Sequence, residues 1–254
     1  MAKLDGKVAI ITGAGRGLGK VFANRFADEG AKLLLPDISL ERAEAVAKEI
    51  NAKGGKATAM PSDISDEGSV KRIAEKVISL YGRVDILLNN AAIYYGINPK
   101  PWDAWALDEW DKIFDVNVKG TYLVCRAIAP LMVKQSGGKI INIASDVIKS
   151  SDSQFFLAYA LSKSAVYTMT QSMAAALGPS NINVNSIGPG YSATEASMGQ
   201  TGSEQIFQSV LGAQCLKRRQ EPNDVAGTAV YLASADSDFV TGQLILVDGG
   251  HFMC

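Results

Sequence analysis

Cysteine and histidine are scarce in this chain. Its 254 residues include one histidine, His251, and three cysteines, which are odd in number and widely spaced. Because no two cysteines form a Cys-x-x-Cys pair, the sequence argues against a disulfide framework and against a zinc site. One histidine cannot build a multi-histidine metal site. We therefore expect no bound metal, and a role for His251 in packing or at the edge of a substrate pocket.

An excess of charge is also missing. The chain carries 25 basic and 26 acidic residues, and its only basic cluster is the triplet at 217–219. No electrostatic field therefore favours nucleic acid as a partner. No apolar run reaches the length needed to cross a membrane, and the first residues show no signal-peptide pattern. We expect a cytoplasmic protein whose partners include neither nucleic acid nor a membrane.

What the chain does contain is a regular alternation of short apolar runs and longer helical patterns. Strands are predicted at residues 8–11, 32–35, 57–60, 84–88, 139–143, 182–187 and 243–247. Helices are predicted at residues 17–29, 39–53, 66–80, 107–134, 154–177 and 222–233. Strict β–α alternation implies a parallel sheet covered on both faces, and right-handed crossovers favour the doubly wound topology. We predict a single α/β domain of Rossmann type over residues 1–254, with about seven strands and a substrate loop at about 191–220.

The first predicted strand leads into the glycine-rich segment Thr-Gly-Ala-Gly-Arg-Gly-Leu-Gly at residues 12–19. Glycine permits a tight turn and a close approach of pyrophosphate to the backbone, and the next helix offers unpaired N–H groups to the anion. Such a turn alone is weak evidence. Here a strand precedes it, an amphipathic helix follows it, and Asp37 follows the second strand, so the arrangement predicts a dinucleotide site.

Asp37 indicates which nicotinamide dinucleotide binds. A carboxylate at this place accepts hydrogen bonds from the adenosine ribose hydroxyls and repels a 2′-phosphate, so we favour NAD over NADP. Arg16 leaves an alternative open, because its guanidinium can pair with a 2′-phosphate, lie over the adenine or face solvent. Asp63 follows the third strand, where it can reach the adenine edge or form a turn.

Tyr159 and Lys163 share one face of a predicted helix at i,i+4 spacing. The helix follows the fifth strand through a loop that contains Ser145, at the sheet edge expected to bind the cofactor. Oxidising an alcohol by hydride transfer requires a base, and a free tyrosine has a pKa of about 10, too high for neutral pH. The Lys163 ammonium and the positive nicotinamide ring would lower that pKa. Ser145 would orient the substrate oxygen, and Asn117 would anchor a water that relays protons from Lys163.

These features resemble the short-chain dehydrogenase/reductase family over residues 4–250. The likeness rests on the following segments together: the glycine-rich residues 12–19, Asp-Ile-Ser at 63–65, Asn-Asn-Ala-Ala at 89–92, Val-Asn-Val-Lys-Gly at 116–120, Asn-Ile-Ala-Ser at 142–145, Tyr-Ala-Leu-Ser-Lys at 159–163, Pro-Gly at 189–190 and Val-Asp-Gly-Gly at 247–250. The resemblance implies a catalytic tetrad of Asn117, Ser145, Tyr159 and Lys163. It also implies a homotetramer in which the helices carrying Asn117 and Tyr159 pack across one interface.

The predicted cofactor contacts come from the segments after the strands. They are Gly13, Arg16, Gly17, Leu18, Asp37, Asp63, Ile64, Asn90, Ala91, Ala92, Tyr159, Lys163, Pro189, Gly190 and Thr194.

Substrate contacts are predicted in three loops, at 93–105, 146–156 and 191–216, which are rich in apolar and aromatic residues. Such a lining suits an uncharged cyclic or aromatic secondary alcohol or its ketone. The predicted contacts are Tyr95, Val147, Phe155, Tyr191 and Met198. Our leading hypothesis is an NAD-dependent secondary-alcohol dehydrogenase. Two alternatives stay open: a 3-oxoacyl thioester reductase that uses NADPH, and a catalytically silent NAD-binding subunit.

Overall fold

Short apolar strands pair side by side in the order β3-β2-β1-β4-β5-β6-β7, and every pair is parallel. The fold is seen in a computed structural model that describes residues 2–200 and 202–253. The strands are β1 Val8–Ile11, β2 Lys32–Asp37, β3 Lys56–Pro61, β4 Ile86–Asn89, β5 Gly138–Ile143, β6 Ile182–Pro189 and β7 Leu244–Val247. The order reverses beside β1, because the chain passes from β3 at one edge to β4 on the other side of β1. This reversal opens the crevice in which doubly wound sheets bind ligands.

Helices connect the strands and cover both faces of the sheet. They are α1 Gly17–Asp28, α2 Leu40–Ala52, α3 Glu67–Tyr81, α4 Leu107–Phe114, α5 Thr121–Lys134, α6 Leu157–Leu177, α7 Glu195–Met198, α8 Ser203–Ala213 and α9 Pro222–Ala233. Local sequence fixes several ends: Asp66 caps α3 by accepting a hydrogen bond from Ser69 N, and Gly82 ends that helix in the left-handed conformation. Within the described residues, none of these helices combines the length and the apolar character needed to span a bilayer.

The strand β1 shows why the sheet is buried on both sides. Its four residues are all buried, and they alternate between two cores. Ala9 and Ile11 pack with Phe22 and Phe26 of α1, whereas Val8 and Ile10 pack into the core that α3 and α5 cover. A strand enclosed on both faces must be continuously apolar, which is the pattern seen in the sequence. The predicted single α/β domain with a doubly wound parallel sheet is thus confirmed.

Four of the predicted segments have boundaries in the structure that matter for the site. The helix predicted at 107–134 is two α-helices joined by a wider π-helical turn at Asp115–Gly120, and the helix predicted from residue 154 begins only at Leu157, after a 3₁₀ segment. The second strand extends to Asp37 and the sixth to Pro189. These corrections matter for the site, because the π turn contains Asn117 and the two longer strands carry predicted cofactor contacts.

Candidate active site

The glycine-rich loop turns tightly beneath the carboxyl end of β1. Gly13 has a positive φ of 65°, and a Cβ there would lie 2.8 Å from the Cα of Ala91. At Gly19, a Cβ would lie 2.1 Å from the carbonyl oxygen of Gly13, so α1 can pack this closely only with glycine at that position. Asn90 holds the turn from below, because its amide donates to the carbonyls of Thr12 and Gly13, both at 3.0 Å.

The helix α1 begins at this loop with its N-terminal N–H groups unclaimed by a capping side chain, since Arg16 at the N-cap supplies no acceptor. Such an end attracts an anion through its free donors and its dipole. The exposed guanidinium of Arg16 lies 4.9 Å from the centre of the Tyr95 ring. The sequence left three roles open for Arg16: pairing with a 2′-phosphate, lying over the adenine, or facing solvent. In the structure its guanidinium is exposed and packs on the Tyr95 ring at the mouth of the crevice.

Asp37 is buried at the end of β2, directly beside the glycine-rich loop. Its Oδ2 accepts a hydrogen bond from Gly15 N at 2.8 Å, and its Oδ1 accepts one from Ser39 N at 2.8 Å. Arg42 Nη2 lies 3.8 Å from Oδ1. The buried Nε of Arg42 has no hydrogen-bond partner among the described residues. The sequence offered no signal for Arg42, because its approach to Asp37 depends on how α2 packs against the sheet.

An elongated cavity of about 760 Å³ runs along the carboxyl ends of the strands on both sides of the crevice. Its walls include most of the predicted cofactor contacts, namely Gly13, Arg16, Gly17, Leu18, Asp37, Asp63, Ile64, Asn90, Ala91, Ala92, Tyr159 and Lys163. The glycine-rich loop, the uncapped N-terminus of α1 and the buried carboxylate of Asp37 are the features that dinucleotide binding requires. The residues present therefore fit a nicotinamide dinucleotide.

Tyr159 and Lys163 lie one turn apart at the start of α6, and both are buried. Lys163 Nζ donates to the carbonyl oxygen of Ile143 at 2.8 Å and lies 5.7 Å from the centre of the Tyr159 ring. Ser145 lies two residues beyond β5, and its hydroxyl is close enough to interact with the phenol of Tyr159. The fold thus brings a phenol, an ammonium and a hydroxyl together where the dinucleotide cavity ends.

Burial dominates the electrostatics of this cluster. It raises the pKa of Tyr159 well above the usual value for tyrosine, and the nearby Ser145 hydroxyl only partly offsets this. It lowers the pKa of Lys163 to about 8. In the protein alone, burial therefore outweighs the lowering of the Tyr159 pKa that we expect from Lys163 and the nicotinamide ring together. A cationic pyridinium, which an oxidised nicotinamide supplies when bound, is needed to favour the phenolate.

A buried lysine has a consequence for stability. Below pH 8 the Lys163 amine is protonated in both the folded and the unfolded protein, so burying its charge opposes folding. This penalty decreases as the pH rises from 8 towards 10.5, because the folded protein loses the proton first. We expect Lys163→Met to raise the free energy of unfolding at pH 7 by about 1–3 kcal/mol, with a smaller gain at pH 10, measured by urea unfolding. Lys119 is exposed, so Lys119→Met serves as the control and should change the free energy of unfolding by less than about 0.5 kcal/mol. A less stable Lys163→Met at pH 7 would mean that the bond to Ile143 outweighs desolvation.

Asn117 lies behind the cavity, in the π-helical turn, and is buried. Its Oδ1 accepts a hydrogen bond from Ile93 N at 2.7 Å, and its Nδ2 donates to Ile93 O at 3.1 Å and to Ser162 Oγ at 3.0 Å. Both amide hydrogens are therefore engaged. The side chain fixes the loop after β4 against α6, so it supports the cavity wall that faces Tyr159.

A second cavity, of about 400 Å³, adjoins the first one at Tyr159. Its walls include the predicted residues Tyr95, Ser145, Val147, Phe155, Pro189, Gly190, Tyr191 and Thr194. Met198, also a predicted substrate contact, is not part of this lining, and its side chain is 53 % exposed on α7.

Comparison with known proteins agrees with this geometry. The family model described as "Enoyl-(Acyl carrier protein) reductase" matches residues 13–251. The chain is 37 % identical over 253 residues to the 3-oxoacyl-[acyl-carrier-protein] reductase FabG of Thermotoga maritima, covering 98 % of both proteins. It is 38 % identical over 248 residues to the 7alpha-hydroxysteroid dehydrogenase of Escherichia coli K12, covering 98 % of this chain and 95 % of that protein. The chain belongs to the short-chain dehydrogenase/reductase family.

A solved structure supports the same assignment. A 7alpha-hydroxysteroid dehydrogenase complexed with NADH and 7-oxo glycochenodeoxycholic acid superposes with a TM-score of 0.91 at 38 % identity, covering 98 % of this chain and 95 % of that one. The protein is therefore an oxidoreductase of the short-chain dehydrogenase/reductase family that acts on CH–OH donors with a nicotinamide cofactor.

Proposed function

We propose that this short-chain dehydrogenase/reductase interconverts a secondary alcohol and its ketone with NAD. The observation that carries the proposal is the position of Tyr159, which lines both cavities at their junction, with Ser145 beside it in the smaller one. A substrate in the smaller cavity would meet both hydroxyl groups and face the larger one. A bound nicotinamide would supply the hydride acceptor for the carbinol carbon of that substrate.

The chain supplies the remaining steps. Tyr159 takes the hydroxyl proton during oxidation and returns it to the carbonyl oxygen during reduction. Ser145 donates a hydrogen bond to the same substrate oxygen and so fixes the reacting carbon. Lys163 adds positive charge beside the phenol and is placed to hold the ribose of the cofactor. Asn117 acts as a positioning residue through Ile93 and Ser162.

The choice of NAD rests on Asp37. Its carboxylate is buried and lines the larger cavity, where a 2′-phosphate would bring two further negative charges close to it. Ribose hydroxyls, in contrast, are donors that a carboxylate accepts. The FabG relative and Arg42 beside Asp37 favour the alternative, a 3-oxoacyl thioester reductase that uses NADPH.

The lining of the smaller cavity supports a cyclic or aromatic substrate. Phe155 and Tyr191 form part of its wall, and Tyr191 packs against Phe207 with ring centres 4.6 Å apart. The direct test follows reduced nicotinamide by its absorbance while the protein is mixed with secondary alcohols and NAD or NADP. We expect turnover of cyclic or aromatic alcohols with NAD. If the protein instead turns over 3-oxoacyl thioesters with NADPH and none of the alcohols, the result would favour the 3-oxoacyl thioester reductase.

We also propose a homotetramer located in the cytoplasm, as the family resemblance implies. Exposed apolar side chains support the assembly: Tyr122 on α5 is 47 % exposed and Leu161 on α6 is 42 % exposed. These two helices are the ones expected to pack across a subunit interface. Large exposed apolar groups on neighbouring helices are typical of surfaces that a second copy covers.

A further inference from the structure

The smaller cavity contains an acid and an imidazole that the proposed reaction does not use. His251 Nδ1 lies 3.2 Å from Asp146 Oδ2, and the two side chains are only 15 % and 13 % exposed. Both line the cavity, together with Ser145 and Tyr159. A carboxylate held away from water is unfavourable unless other groups compensate it. An acid buried in a mostly apolar substrate cavity therefore indicates a specific contact.

The second oxygen of Asp146 lies next to the proposed reaction centre. Asp146 Oδ1 is 3.4 Å from Ser145 Oγ, the atom that would hold the reacting oxygen of the substrate. A bond of this length is weak, and a carboxylate oxygen accepts more than one hydrogen bond. Oδ1 therefore retains capacity for a further donor, close to where the substrate oxygen would bind.

The end of the described chain is shaped to place His251 against Asp146. Asp248 accepts hydrogen bonds from Gly250 N at 3.0 Å and from Phe252 N at 2.9 Å, which closes a turn after β7. The Phe252 ring packs on the imidazole, with ring centres 4.0 Å apart. Burial raises the pKa of Asp146 above its usual value, and the contact with His251 only partly offsets this rise.

We propose that Asp146, positioned by His251, binds a second hydroxyl group of the substrate, on the carbon next to the reacting one. The inference rests on the proposed function. Oxygens on neighbouring carbons lie about a hydrogen-bond length apart, which matches the spacing of Ser145 Oγ and Asp146 Oδ1. A carboxylate accepts but does not donate, so it selects a hydroxyl over a carbonyl or an ether, and it repels an acid. The substrate class is thus a vicinal diol, or its α-hydroxy ketone, on a cyclic or aromatic body.

Two pairs of alcohols that differ by one hydroxyl test this specificity: cyclohexanol with 1,2-cyclohexanediol, and 1-phenylethanol with 1-phenyl-1,2-ethanediol. For each pair we measure the ratio of the two kcat/KM values with NAD. We expect the unchanged protein to favour a diol about tenfold or more, because the remaining acceptor capacity of Asp146 Oδ1 goes unused with the analogue that lacks the hydroxyl. Both diastereomers of the cyclic diol are included, because they place the second hydroxyl differently relative to the reacting one.

Variants of Asp146 and His251 test whether these two residues cause the preference for the diol. We expect Asp146→Ala, which removes both acceptor oxygens, to bring the ratio close to one through a higher KM for the diol, and His251→Gln to reduce it at least threefold. Asp103→Ala removes an exposed acid outside both cavities and should leave the ratio unchanged. An equal loss with both alcohols of a pair would show that Asp146 acts only on Ser145, and would overturn the assignment.

The outcomes also separate this inference from the proposed function. Turnover of the mono-alcohols with equal or higher kcat/KM than the diols would overturn the role of Asp146 and leave the dehydrogenase proposal in place. Absence of turnover with every alcohol, with NAD and with NADP, would overturn both.

Discussion

Replacing Tyr159 with phenylalanine is expected to lower kcat for alcohol oxidation by about 10²–10⁴-fold, the range that a positioned acid or base contributes. The substitution removes one oxygen and keeps the ring, which packs against Tyr94 with ring centres 5.0 Å apart. Folding and cofactor binding should therefore change little. The measurements are steady-state kinetics and a titration of NAD binding by fluorescence.

The pH dependence gives a second readout for the same residue. Because burial raises the pKa of Tyr159, the phenolate fraction is small at neutral pH and grows as pH rises. Oxidation by the unchanged protein should accordingly accelerate from neutral to alkaline pH. The Tyr159→Phe variant should lack this dependence, since it has no phenol to ionise.

Tyr167→Phe is the matched control, because Tyr167 lies two turns further along α6 and its hydroxyl contacts Gln171 rather than the cavity. It should retain full activity. Near-normal turnover by Tyr159→Phe would show that another group takes the proton and would remove the basis of the proposed mechanism. A chain that binds NAD but oxidises no alcohol, even unchanged, would favour the catalytically silent subunit.

The sequence predicted the parts of the molecule that depend on local pattern. Strands such as β1 are apolar throughout because both faces are buried, and the glycines of the loop are needed for close backbone approaches at Gly13 and Gly19. Tyr159 and Lys163 were recognisable because i,i+4 spacing fixes their shared face. The carboxyl edge of a parallel sheet then determines which loops meet, so the site could be placed without coordinates.

The features that escaped prediction depend on contacts between distant segments. Asp146 and His251 come from different loops, and they meet only because β5 and β7 both lie beside β6. Arg42 reaches Asp37 through the packing of α2. The π-helical turn around Asn117 adds one residue to a helical repeat, which the periodicity of the sequence does not resolve. Burial, which residue spacing does not reveal either, raises the pKa of Tyr159 in the protein without its cofactor.

Asp37→Asn is expected to shift the cofactor preference towards NADP, raising the ratio of kcat/KM with NADP to that with NAD by about 10²-fold. Juxtaposed like charges in a buried contact disfavour binding by several kcal/mol, and the amide removes that repulsion. It keeps the size of the side chain, but its single oxygen can accept from only one of the backbone N–H groups of Gly15 and Ser39, so some loss of stability is expected beside the change in recognition. Kinetics with both cofactors at matched concentrations measure the preference as a ratio, which a general loss of stability does not change.

Arg42 provides the decisive comparison for this prediction. Once Asp37 is neutral, the guanidinium 3.8 Å away has no acidic partner there, and it can pair with a 2′-phosphate. Asp37→Asn combined with Arg42→Gln should accordingly lose most of the gain with NADP, while Arg42→Gln alone should change turnover with NAD little. The difference between the single and double variants isolates the coupling of the two residues. A preference of the unchanged protein for NADP would contradict the role given to Asp37, because the buried carboxylate would then fail to exclude the phosphate.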